Sequence, residues 1–185
     1  MPDYRDSQAV GGVVPDLTLP DLHGTQQGLA AALDGKRGAV VVFWSGVCSH
    51  CVRYDDYLND FEARHPELAL VVVASREGED GERLRSTAAE RKLRFRILRD
   101  AERGVAHAWL VKQTPRVFLI DADRRLRYRG AIDNFKYPDD TEHEPYLESA
   151  IGCLLRGQEV ARAETPSFGC PIESVYYTMP KPLGE

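Results

Sequence analysis

The stretch Ala39-Val40-Val41-Val42-Phe43-Trp44-Ser45-Gly46-Val47-Cys48-Ser49-His50-Cys51 decides how the rest of the chain is read. Residues 39–44 form an unbroken apolar, β-branched and aromatic run, as in a strand buried on both faces of a sheet. A small-residue turn follows, and the cysteines fall where an amphipathic helix begins. A thiol at a helix N-terminus sits in positive potential, which lowers its pKa and makes it a better nucleophile. Cys48 is therefore expected as the exposed, activated thiol and Cys51 as its more buried partner one turn along. His50, between them, is expected to depress the Cys48 pKa further.

Outward from this junction, the chain alternates. Tyr54, Leu58 and Phe61 recur at helical spacing, and His65-Pro66 should stop that helix. Asp55 reads as a solvated residue on its polar face. Leu68 to Ala74 is a second buried strand, Gly81 to Lys92 a helix, Phe95 to Leu98 a third strand and Ala101 to Trp109 a short helix. Arg116 to Ile120 and Leu126 to Gly130 flank an Asp121-Ala122-Asp123-Arg124 turn, the pattern of an antiparallel hairpin. Glu144 to Arg156 is the last helix. Upstream, Val14 to Pro20 and the Asp21-Leu22-His23-Gly24 turn suggest a short edge hairpin, and Leu29 to Leu33 one helical turn. This order predicts a mixed sheet with helices on both faces. Residues 1–13 are expected as a flexible arm, 14–160 as the domain, and 161–185 as a tail packed along it.

Composition narrows the partners. The 185 residues carry Lys+Arg 24 against Asp+Glu 29, a net charge of -5, with basic residues scattered rather than striped. Nucleic-acid and anionic-membrane binding are disfavoured on that basis. The N-terminus lacks the charged and apolar regions of a secretory signal, so the chain is expected to be cytoplasmic, or periplasmic if a leader has been trimmed. Cysteines number 4, too few for a disulfide scaffold, and a Cys-x-x-Cys pair in a reducing compartment is catalytic or metal-binding.

A redox dithiol would work through Cys48 attacking a substrate disulfide and Cys51 resolving the mixed disulfide. A zinc site needs four ligands, and there is no second Cys-x-x-Cys; Cys153, Cys170, His107 and His143 are distant singles. No metal ligands are assigned. Thr114-Pro115, just before the Val117 to Ile120 strand, is expected as a cis bond that leaves the Thr114 backbone open to an extended substrate. Cys170 is a candidate third redox thiol if the tail folds back; pairing with Cys153 or inert burial are the alternatives.

Together, Cys48-Ser49-His50-Cys51 with Tyr54 and Asp55, Thr114-Pro115-Arg116-Val117-Phe118, the 121–130 hairpin and Phe168-Gly169-Cys170-Pro171-Ile172 resemble the thioredoxin-like superfamily. Within it they resemble the bacterial redoxin-domain proteins of the AhpC/TSA and TlpA-like groups, over roughly Val14 to Glu173. The resemblance implies an α/β thioredoxin-like fold and a thiol–disulfide oxidoreductase. Cys48 and Cys51 would be catalytic, with Trp44, Ser49, His50, Thr114 and Pro115 as their surroundings. No cofactor beyond the dithiol is expected; a protein or small disulfide is the expected substrate and a thioredoxin-type protein the electron donor. Three departures stand out: Val47 replaces the usual tryptophan, Val42 a buried acid, and Tyr54 a glutamate of the cytochrome-maturation relatives. A thiol-dependent peroxidase with Cys48 as peroxidatic cysteine is the alternative. Ser45 fits its hydroxyl position and Arg116 is a candidate cation, but Val41 stands where its proline belongs. A metal-binding module of the same fold is a further possibility.

Overall fold

A computed structural model describes residues 9–137 and 141–173. The first part of the expected arm and the last part of the expected tail lie outside them. In chain order the elements are β1 (Thr18–Pro20), β2 (Gln26–Gly28), α1 (Leu29–Ala32), β3 (Gly38–Trp44), α2 (Ser49–Val52), α3 (Asp55–Asn59), α4 (Phe61–Arg64) and β4 (Leu68–Ala74). They continue with α5 (Gly81–Glu90), β5 (Ile97–Arg99), α6 (Gly104–Ala108), β6 (Gln113–Thr114), β7 (Arg116–Asp121), β8 (Leu126–Gly130), α7 (Tyr146–Leu155) and β9 (Cys170–Pro171).

The central sheet has the order β5-β4-β3-β7-β8, parallel across β5, β4 and β3 and antiparallel across β3, β7 and β8. Every residue of β3 is buried, which is why its sequence is continuous rather than alternating. The alternation is hidden inside it, because successive strand side chains point to opposite faces. Val40, Val42 and Trp44 join one core with Cys48, Cys51, Leu58, Phe61 and α7. Ala39, Val41 and Phe43 join the other, with Leu29, Trp109 and Phe118. Phe43, Trp109 and Phe118 meet there edge-on or tilted, with centroids 5.0 to 5.9 Å apart.

Local chemistry explains the element ends. Asp80 caps α5 by accepting the Arg83 N–H at 2.8 Å. Asp121 closes the β7–β8 turn by accepting the N–H groups of Asp123 and Arg125.

The helix expected after Cys51 is instead three short turns. The Tyr54 N–H donates to Cys51 O, a tighter step than the helical one, and Tyr54 leaves helical geometry (φ -101, ψ 7). Its hydroxyl is held elsewhere, donating to Asp133 Oδ1 at 2.5 Å. Asp60 makes the second break while its carboxylate accepts from Arg94.

The end of the expected arm is tied down: Gly11 and Gly12 exchange backbone hydrogen bonds with Leu126, and Val14 donates to Arg124. Among the described residues, no helix is long and apolar enough to cross a membrane.

Candidate active site

Cys48 ends the turn out of β3 and occupies the N-cap of α2, and Cys51 lies inside that helix. Both are free thiols with no exposed surface, so the expectation of an exposed Cys48 is corrected. Thr114, at the end of β6, faces them: Cys48 Sγ lies 3.2 Å from Thr114 O, to which the thiol donates when protonated. The Thr114-Pro115 bond is cis. Thr114 pairs in antiparallel register with Cys170, so β9 lies along the edge expected to receive a substrate.

Three thiols thereby meet. Hydrogen bonding from the Cys51 thiol, followed by the Cys170 thiol and N–H and by Thr114, brings Cys48 down to about 4 against the opposing effect of burial. Cys51 moves the other way, pushed well up by burial and then by its hydrogen bond to Cys48 and that sulfur's negative charge. Cys170 is raised by burial and by the same two interactions with Cys48. Cys48 is thus the thiolate of the group at neutral pH, and its two neighbours are protonated donors.

That origin differs from the one read in the sequence. α2 is a single turn, too short for a large macrodipole, and His50 is not among the leading causes of the Cys48 shift. His50 is half-buried on α2 and Ser49 is exposed beside it. Trp44 is fully buried at the end of β3, its ring 5.9 Å edge-on from Phe95, so it backs the site from the core. Cys153 stands apart on α7 against Arg156, 3.8 Å away, and has no bond to Cys170. Arg116 is engaged by the tail, donating to Ser167 Oγ at 3.0 Å.

Three residues that matter here had no distinctive sequence signal. Asp55 is buried rather than solvated and forms a two-pronged pair with Arg91, with closest contacts of 2.5 and 2.6 Å. The same guanidinium donates to Gly46 O at 2.7 Å and lies 5.2 Å from the Trp44 ring centroid. Glu79 is also buried, and accepts the Val47 N–H at 3.2 Å. Arg91 and Glu79 therefore clamp both sides of the loop that delivers Cys48. A carboxylate four residues after a Cys-x-x-Cys, with an arginine on the next helix, was the only available hint.

Among the described residues, no group of three or more His, Cys, Asp or Glu side chains is placed to hold a metal ion.

Known proteins carry the same framework. The thiol-disulfide oxidoreductase ResA of Geobacillus thermodenitrificans is 30% identical over 123 residues, covering 66% of this chain and 70% of that protein. The crystal structure of the Sinorhizobium meliloti hypothetical protein SMc02350 superposes with a TM-score of 0.80 at 30% identity, covering 89% of this chain and 93% of that one. A secreted Mycobacterium tuberculosis disulfide oxidoreductase homologous to DsbE shares the fold with a TM-score of 0.57 at 21% identity, over 74% of this chain and 95% of its own.

The cytoplasmic placement expected from the N-terminal residues is corrected: the chain is 30% identical to a thiol-disulfide oxidoreductase, and disulfides persist in oxidising compartments. The AhpC/TSA family model matches residues 10–129, nearly two-thirds of the chain, and the chain belongs to that family.

Proposed function

We propose that this protein is a thiol–disulfide oxidoreductase whose nucleophile is Cys48 and whose resolving thiol is Cys51. The observation that carries the reading is the juxtaposition of a low-pKa thiol, a protonated thiol one turn away and the Thr114 backbone 3.2 Å from the first sulfur. The Cys48 thiolate attacks one sulfur of a substrate disulfide, and the other sulfur leaves as a thiolate that takes up a proton. In the resulting mixed disulfide, Cys48 no longer bears the charge that raises Cys51. Cys51 loses its proton and attacks Cys48 Sγ, forming the Cys48–Cys51 disulfide and releasing the second substrate thiol. Two electrons have passed to the substrate, and a thioredoxin-type dithiol restores the reduced protein. The chemistry needs no cofactor beyond the dithiol.

Protein disulfides are the substrates best suited to this edge, because an extended segment can bond to the Thr114 backbone while its sulfur meets Cys48. The test is trapping with the Cys51→Ser, Cys170→Ser double variant, in which neither neighbouring thiol can release a bound substrate. Stable mixed disulfides through Cys48 are expected with a disulfide-bonded protein such as insulin. Accumulation of a Cys48 sulfenic acid under peroxide, with no mixed disulfide formed, would instead identify a peroxidase.

A further inference from the structure

We infer that residues 167–172 form a built-in substrate strand and that Cys170 is a third redox thiol that exchanges with Cys48. The inference rests on the dithiol reading above and extends it to regulation of the same site. Cys170 is placed by backbone pairing, with β9 antiparallel to β6 and Cys170 opposite Thr114. The strand is anchored on both sides of that cysteine. Before it, Ser167 Oγ accepts from the Gln113 amide and Arg116 guanidinium, each at 3.0 Å. After it, Ile172 is buried, donates to Lys112 O and accepts from Glu77 N–H, while Arg76 donates to Pro171 O.

Gly169 shows how closely the strand presses on the ledge. A Cβ there would lie 1.8 Å from Thr114 O, 2.5 Å from Thr114 C and 3.1 Å from Pro115 N. Only glycine fits that backbone-to-backbone approach. The segment therefore occupies the edge a substrate strand would use, and it brings a thiol where a substrate sulfur would arrive. It also accounts for a nucleophile with no exposed surface, since an incoming disulfide must first lift this strand from Thr114.

The exchange conserves electrons. In the oxidised protein, deprotonated Cys170 attacks Cys48 Sγ, the Cys48–Cys51 bond breaks, and Cys51 leaves and takes up a proton. The product holds a Cys48–Cys170 disulfide and a free Cys51. When Cys48 instead carries a substrate, the same attack by Cys170 releases that substrate, so Cys170 can substitute for Cys51.

The experiment uses oxidised glutathione as the two-electron oxidant on the full chain carrying Cys51→Ser. Cys48 thiolate displaces one glutathione, and Cys170 then displaces the second. Non-reducing digestion and mass mapping should find Cys48 joined to Cys170, with two glutathiones released per chain. That linkage should be lost in Cys51→Ser chains that also carry Gly169→Ala, folded by circular dichroism, or Cys170→Ser; both should keep a Cys48–glutathione adduct. A stable adduct with free Cys170 in the Cys51→Ser protein itself overturns the inference. If the wild-type chain still forms Cys48–Cys51 in that case, the dithiol reading stands and only the role of Cys170 falls. If Cys48 takes up no glutathione and the wild type forms no Cys48–Cys51 bond, both fall.

Discussion

Replacing Cys51 by alanine removes the largest single contribution to the lowered pKa of Cys48. A hydrogen bond to a charged group is worth about 1.5–3 kcal/mol. At 1.36 kcal/mol per pH unit this corresponds to about 1 to 2 units, so the thiolate midpoint should rise from about 4 to roughly 5–6. Cys170→Ala should raise it by less, because that thiol ranks below Cys51 among the causes. Serine is the wrong probe here, since its hydroxyl still donates. The assay is the ultraviolet absorbance of the thiolate in the reduced protein, followed as pH is lowered. This readout does not require a reagent to reach a buried sulfur. Because the folded value lies below that of an unfolded cysteine, the thiolate favours the reduced fold fully above the ordinary thiol pKa. That contribution is lost as pH falls through about 4. An unchanged midpoint in Cys51→Ala, or a larger rise in Cys170→Ala, would refute this account of how Cys48 is activated.

Other perturbations follow from the same contacts. Arg91→Ala leaves Asp55 buried without its partner, which should cost about 3–5 kcal/mol in urea unfolding; a loss below about 1 kcal/mol, as for a surface pair, would contradict it. Tyr54→Phe removes the donor to Asp133 and should cost about 1–3 kcal/mol in the same assay, and no change would show that the carboxylate finds another donor. Gly130→Ala should loosen the tail and lower the melting temperature, because its Cβ would lie 2.1 Å from Thr165 Oγ1 at a φ of 155°; an unaltered melting curve would count against this anchoring.

Much of the architecture was legible because it rests on local patterns. The run 39–44 marked a strand buried on two faces, and its alternation divides between two cores. Asp121 and the following residues marked the hairpin turn that joins β7 to β8. What the sequence hid were effects of residues far apart in the chain. The breaks at Tyr54 and Asp60 involve side chains held by Asp133 and Arg94, so helical periodicity alone predicted one helix. Asp55 looked solvated because its partner, Arg91, stands at the C-terminal cap of α5, 36 residues away. The largest contribution to the acidity of Cys48, from Cys51, lies within Cys48-Ser49-His50-Cys51. The further lowering by Cys170 comes from a strand more than a hundred residues downstream, which spacing within that motif does not reveal.

The most direct test of the central claim is the rate at which the protein, kept reduced by a small dithiol, reduces insulin disulfides. Wild type should turn over and Cys48→Ser should fall to the rate of the small dithiol alone. A Cys48→Ser protein that keeps wild-type turnover would contradict the assignment of Cys48 as the nucleophile.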